Sequence, residues 1–145
     1  MKQTTYSFLD LSGAIAHPSL DPFIFTGEGV GEVTVAMITE RSAHDVGADG
    51  SIMVSKIAGN NGHITITAQQ TSVLHQWLMG WYNYLITAPT SEWADTAMTL
   101  RNTADGSSHT ITGISPQKKP DKQYQSQGQR TSWVLMAADI QSENA

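Results

Sequence analysis

The chain has 145 residues, 39% of them hydrophobic and 14% charged, with a formal net charge of −5 and no cysteine. That length fits one domain with a core of its own. The lack of cysteine excludes disulfide scaffolds, Cys zinc sites, iron–sulfur clusters and thiol catalysis. The negative balance argues against a basic nucleic-acid-binding footprint. Charge is scarce beside the roughly 25% of an average soluble domain. Its place is taken by 14 Ser and 16 Thr. Interface cores are depleted in charge, so a surface this poor in it points to burial against another chain. The N-terminus lacks the apolar core of a signal peptide, and no apolar run reaches the ~18–20 residues of a membrane span. The expectation is a soluble protein, made in a cytoplasm, that works in company.

In chain order, residues 1–31 read as irregular. Phe8, Leu9 and Leu11 suggest a short strand before Gly13, Pro18, Pro22, Gly27, Gly29 and Gly31 interrupt. Residues 32–40 read as a strand, with Val33, Val35 and Met37 on one face and Glu32, Thr34 and Glu40 on the other. Residues 42–50 form a nine-residue loop in this reading. Strands at 52–58 and 63–69 follow, joined as a hairpin through Gly59-Asn60-Asn61-Gly62, since an Asn-Gly pair supplies the positive φ a tight turn needs.

A helix is expected over 72–86. Leu74, Trp77, Leu78, Trp81 and Leu85 fall on one apolar stripe, Thr71 or Ser72 can cap it, and Pro89 blocks its continuation. The plain reading of that stripe is core packing. Strands at 97–102 and 108–114 form a second hairpin around Thr103-Ala104-Asp105-Gly106. Residues 115–129 are a polar loop, and 131–140 a closing strand. The sum is α+β and mainly β: an antiparallel sandwich or barrel of about six or seven strands with one flanking helix. From Ile57 to Ser91, 35 residues pass without Asp, Glu, Lys or Arg. The outer face of the helix then has only His75, Gln76, Asn83 and Tyr84 to offer water, which again points to cover from another chain.

No reaction chemistry emerges. The histidines at 17, 44, 63, 75 and 109 show no metal-binding spacing. His44-Asp45 has the composition of a base with its orienting carboxylate, but equally of a hydrogen-bonded loop pair. His63 and His109 sit at strand entries that could approach each other. Glu28 with Glu32, or Asp45 with Asp49, would be paired carboxylates with nothing to bring a leaving group to them. The nucleophile elbow, the P-loop and GxGxxG are absent, and Gly27-Glu28-Gly29-Val30-Gly31 precedes a strand rather than a phosphate-binding helix. No catalytic, cofactor-binding or metal site is expected. Lys118, Lys119 and Lys122 form the basic cluster. A solvated loop is the bland reading; the sharper one sets that loop against the Asp45 and Asp49 loop of a neighbouring copy.

Several polar words of the chain carry a family resemblance. They are Ser42-Ala43-His44-Asp45-Val46-Gly47-Ala48-Asp49-Gly50-Ser51, Ala58-Gly59-Asn60-Asn61-Gly62, Gln69-Gln70-Thr71-Ser72, Leu100-Arg101-Asn102-Thr103, Pro116-Gln117-Lys118-Lys119-Pro120-Asp121-Lys122 and Met136-Ala137-Ala138-Asp139-Ile140-Gln141. Together they resemble the tail tube proteins of contractile-tailed bacteriophages, whose fold is similar to that of type VI secretion tube proteins. The resemblance implies a single tail-tube domain over 1–145 with an N-terminal arm at about 1–31. Its subunits would close into hexameric rings by joining sheets edge to edge, and the rings would stack into a tube that conducts DNA. The partners it implies are further copies, a contractile sheath, and baseplate or initiator and terminator proteins, with no membrane. Glu32, Thr34, Glu40, Thr65, Thr67, Thr99 and Arg101 would then face the lumen, an acidic, hydroxyl-rich wall along which DNA slides. The loop at 42–50, with His44, Asp45 and Asp49, and Lys118 and Lys119 would make ring-to-ring contact. A carbohydrate-binding or adhesin module is the alternative, which needs exposed Trp platforms. Another is a terminator or initiator ring of the same fold.

Overall fold

A computed structural model of the chain describes residues 11–25, 30–103, 106–121 and 124–143. Seven strands form one antiparallel sheet: β1 (Leu11–Ala16), β2 (Phe23–Phe25), β3 (Val30–Met37), β6 (Gly62–Gln69), β7 (Thr96–Asn102), β8 (Ser108–Pro116) and β9 (Arg130–Glu143). Their order is β2-β1-β7-β8-β9-β6-β3, and the sheet curls into a half-barrel. The mainly β fold with one flanking helix is therefore as expected. Two further strands, β4 (Ser42–Val46) and β5 (Ile52–Lys56), pair only with each other among the described residues.

Three local expectations are corrected. The first 31 residues are not irregular throughout: β1 pairs with β2 on one side and with β7 on the other, with Gly13 opposite both Phe25 and Leu100. Hydrogen-bond ladders on two sides outweigh the poor strand propensity of Gly13 and Ala14. Phe8, Leu9, Gly27, Glu28 and Gly29 lie outside the described residues.

The segment 42–50 is not a loop but one strand and the turn of a hairpin. That turn is closed by Gly47 N–H to Ser51 O at 2.7 Å and Gly50 N–H to Gly47 O at 2.9 Å, with Gly50 at φ +88°. Consequently β5 pairs with β4, and the expected pairing of 52–58 with 63–69 does not occur. Among the described residues only glycines have positive φ, so Asn60 and Asn61 cannot form the required turn. They clasp the hairpin's base instead. Asn61 O accepts from Ile38 N–H at 3.1 Å, Asn60 O accepts from Ile140 N–H at 2.9 Å, and the Arg41 guanidinium donates to Gly59 O at 3.1 Å.

Curl is built into the strands at two glycines. A β-bulge in β8 against β7 lets Ile111 and Ile114 both enter the core, with Gly113 between them at φ +67°. Any Cβ at Gly113 would lie 2.5 Å from that of Ala138. Gly62 is buried in β6 between β3 and β9, and a Cβ there would run into the Ala36 carbonyl oxygen and Ile140 Cδ1.

Among the described residues one α-helix, α1 (Val73–Thr87), packs its buried face into the core. Its cap is Ser72, whose Oγ accepts from His75 N–H at 3.2 Å. Leu74, Leu78, Trp81 and Leu85 are buried with Ile64, Ile66, Trp133 and Leu135, while Trp77 is half-buried and donates its indole N–H to Asp21 O at 2.9 Å. His75, expected on the outer face, is buried at 4% exposure; its Nδ1 accepts from the Trp133 indole N–H at 3.1 Å. The outer face keeps Gln76, Gly80 and Asn83, together with Val73 and Ile86. Gly80 is exposed, and a Cβ there would meet nothing. Gly80→Ala is therefore expected to stabilise the isolated subunit by ~0.5–1 kcal/mol in chemical denaturation, because only the helix-propensity difference acts.

Candidate assembly surfaces

The sheet face turned away from α1 carries many short polar side chains. Register places Glu32, Thr67 and Ser132 in one row across β3, β6 and β9, and Thr34, Thr65 and Val134 in the next. Farther round, Thr99 lies between Ala14 and Thr110, and Arg101 between Ser12 and Ser108. Hydroxyls tie parts of this face together: Thr34 Oγ1 donates to Glu32 Oε1 at 3.2 Å, and the Thr67 and Ser132 hydroxyls lie 3.2 Å apart. Six of the seven residues read as lumen-facing thus share one face. Glu40 does not, because β3 ends at Met37 and Glu40 sits in the connection to the hairpin. Exposed Ile24 extends this face onto edge strand β2, a residue that alternation in so short a strand did not reveal.

The β4–β5 hairpin is exposed along its whole length. Val46 pairs with Ile52 and His44 with Val54 on one face, and Asp45 with Met53 on the other. His44 and Asp45 therefore point to opposite sides, and the base-and-carboxylate arrangement is lost. Val46, Ile52, Met53 and Val54 are 57–64% exposed, four large apolar side chains that composition alone did not single out. In the turn, Asp49 accepts from the Ser51 hydroxyl at 2.7 Å and the Ser51 N–H at 3.0 Å. These bonds hold its carboxyl below the ordinary range and keep the tip negative.

At the other end of the sheet, Lys118 and Lys119 lie exposed on the segment leaving β8, and Lys122 lies outside the described residues. Lys118 borders an open notch of about 300 Å³ with Gln70, Pro120, Asp121, Gln129 and Arg130. His63 and His109 do not meet. They pair with Met136 and Ser142 respectively, six residues apart along β9, which is about 20 Å. Among the described residues no group of three or more His, Cys, Asp or Glu could hold a metal, and no helix is long and apolar enough to cross a membrane.

A further polar cluster pins the edge of the sheet to the end of α1. The Glu92 carboxylate accepts from Ser19 Oγ at 2.5 Å and from Tyr84 Oη at 3.0 Å. Beneath it, buried His17 accepts Ser19 N–H at Nδ1 and so donates from Nε2 to Glu92 O at 3.1 Å. The Ser19 and Tyr84 bonds lower the Glu92 pKa below its ordinary 4.5. A carboxyl whose folded pKa is depressed stabilises the fold above its unfolded value, and that contribution fades as pH falls through the folded one. Glu92→Gln is expected to melt lower than the native chain at pH 7. The gap between the two should shrink on titration below pH 4.5, followed by circular dichroism.

The same curled sheet with one helix occurs in solved contractile injection systems. A chain of the six-fold symmetrised anti-feeding prophage baseplate superposes with TM-score 0.67 at 9% identity, covering 99% of this chain and 97% of that one. The anti-feeding prophage tube-terminating cap gives 0.59 at 8% identity, covering 100% and 95%. The sheath–tube complex of an extracellular contractile injection system in its extended state, PVC, gives 0.58 at 10% identity, covering 97% and 93%. At such identities the likeness is one of fold. No curated protein matches the chain in sequence. The chain belongs to the Bacteriophage PhiTE tail tube protein family, which it matches over residues 3–144.

Proposed function

We propose that this protein is the repeating subunit of a phage tail tube, in which hexameric rings stack into a hollow conduit for DNA inside a contractile sheath. One observation carries the reading. In a chain of the tail tube family, a curled half-barrel ends in two strands, β2 and β3, each of which pairs with only one other strand among the described residues. Unpaired edges template further pairing, and closing them on neighbouring copies removes the aggregation hazard. Closing the ring with α1 on the outside would put the opposite, polar face inward, with Glu32, Thr34, Thr65, Thr67, Thr99 and Arg101 on the lumen. A hydroxyl-rich wall in a protein of net charge −5 gives DNA phosphates little to hold. The uncharged outer face of α1 is assigned to intersubunit contact. The tube would be assembled in the host cytoplasm, begin on a baseplate or initiator protein, end on a terminator and reside in the virion tail.

A terminator or initiator ring is the second reading, favoured by the likeness to cap and baseplate chains. A sugar-binding role loses its basis, since Trp81 and Trp133 are buried and Trp77 and Trp93 half-buried. Negative-stain electron microscopy of the purified protein at high concentration separates the first two. Hollow tubes support the tube subunit, single six-fold rings support the terminator or initiator, and a monomer at every concentration refutes both as self-assembling species.

A further inference from the structure

The hairpin and the notch lie at opposite ends of the same strands. β3 runs from Val30 to Met37 and β6 returns from Gly62 to Gln69, so the hairpin hangs from the Met37 and Gly62 end. Arg130 is paired with Gln69 at the far end, beside Lys118 and the notch. Seven strand steps separate the two sites, about 23 Å. Charge is divided the same way. Asp45 and Asp49 occupy the distal half of the hairpin, whereas Arg41 and Lys56 sit at its base. The notch end presents Lys118, Lys119 and Arg130 against Asp121.

We propose that the β4–β5 hairpin of one copy seats its acidic tip in the Lys118–Arg130 notch of a second copy in the adjoining ring. The inference rests on the tube reading and deepens it by naming both halves of the stacking contact. Two arguments select a second copy as occupant. The first is charge complementarity, acidic tip to basic notch. The second is stability. A two-stranded hairpin alone is marginal in water, and this one carries Val46, Ile52, Met53 and Val54 uncovered. Because donor and acceptor patches lie on opposite ends of the subunit, the contact is head-to-tail and leaves a free hairpin and a free notch after every addition. Such a contact propagates as an open stack with a fixed polarity. A hairpin-to-hairpin contact would stop at two rings.

The test uses charge reversal and crosslinking in the full chain. Asp45→Lys and the pair Lys118→Glu with Lys119→Glu should each keep the native melting curve and still form rings. Each should lower the yield of pelletable tubes about tenfold or more. A chain carrying both reversals should regain tubes. The native chain has no cysteine, so Asp45→Cys and Lys118→Cys can be made as separate variants. Oxidising assemblies of the two mixed together should yield a disulfide-linked dimer, while assemblies of either variant alone yield none. Native tube yield from both reversed variants overturns the proposal, as does a crosslinked dimer from Asp45→Cys assemblies alone. Either result leaves the tube reading standing. If the native chain makes neither rings nor tubes, the tube reading fails, and the proposal with it.

Discussion

Replacing Trp81 by Ala is expected to lower subunit stability by ~3–5 kcal/mol, the usual cost of deleting a buried aromatic side chain. Trp81 is 1% exposed and stands at the centre of the α1 stripe, with Leu78 and Leu85 beside it on the helix. Its ring stacks on Trp77 with centroids 6.3 Å apart. The indole N–H donates to Thr96 Oγ1 at 2.8 Å, and Thr96 is fully buried, so truncation leaves that hydroxyl facing a cavity. For a domain whose total stability is of order 5–15 kcal/mol, this is a large fraction. At ~2–4 °C per kcal/mol the melting temperature should fall by about 6–20 °C. Trp81→Phe keeps most of the volume and loses the hydrogen bond, so it should fall between Trp81→Ala and the native chain. The consequence for assembly follows from position. α1 packs on the core face of the sheet, and the sheet shape it supports sets the angle between one subunit's edges. A Trp81→Ala melting temperature equal to the native one would mean that the helix is not the keystone of this core.

Trp81 also shows what the sequence makes legible. Leu74, Trp77, Leu78, Trp81 and Leu85 repeat with helical period, a capping Ser72 precedes them and Pro89 follows, so helix, boundaries and buried face could be read together. The alternation in β3 and β6 was equally clear, because one side of each strand meets the core and the other does not. Elsewhere local pattern and tertiary pairing disagree. Ala43, His44 and Asp45 have poor strand propensity, yet they form β4 because Ile52–Lys56 is available to pair with them. The Asn60-Asn61-Gly62 words look like a tight turn, but these residues clasp the hairpin to β3 and β9. His75 looks solvent-facing by residue type. It is buried because it widens the stripe beside Leu74 and Leu78, and its ring nitrogen satisfies the Trp133 indole.

The assembly surfaces were only half legible, for a related reason. Period two places Thr34, Thr65, Thr67, Thr99 and Arg101 on some face of some strand; only the register across β3, β6, β7 and β9 shows that they share one. Glu40 followed the same period on paper but lies past the last paired residue of β3. The notch brings Gln70 and Arg130 together with Lys118 and Asp121, from segments far apart in the chain, and no local motif announces such a meeting. Loop words identified the family more readily than they identified its contacts.

Ring closure through the sheet edges makes the sharpest demand on β3. In an antiparallel strand, successive residues direct their backbone N–H groups to opposite neighbours. Thr34 and Val35 are consecutive in β3, where Thr34 pairs with Thr65 and Val35 with Ile64. One of the two therefore sends its N–H into the β6 ladder, and the other sends it out over the open edge. Proline removes that N–H. Of Thr34→Pro and Val35→Pro, one should lose ~1–3 kcal/mol of subunit stability, since it strands an acceptor on β6. The other should unfold close to the native chain yet form no rings, because the bond it lacks belongs to the neighbouring copy. Melting curves assign each variant to its class, and sizing with negative-stain microscopy reports the rings. A stable variant of the pair that still closes native rings would show that the β3 edge is not the ring interface. Closure would then have to run through other surfaces, with the outer face of α1 the first to test.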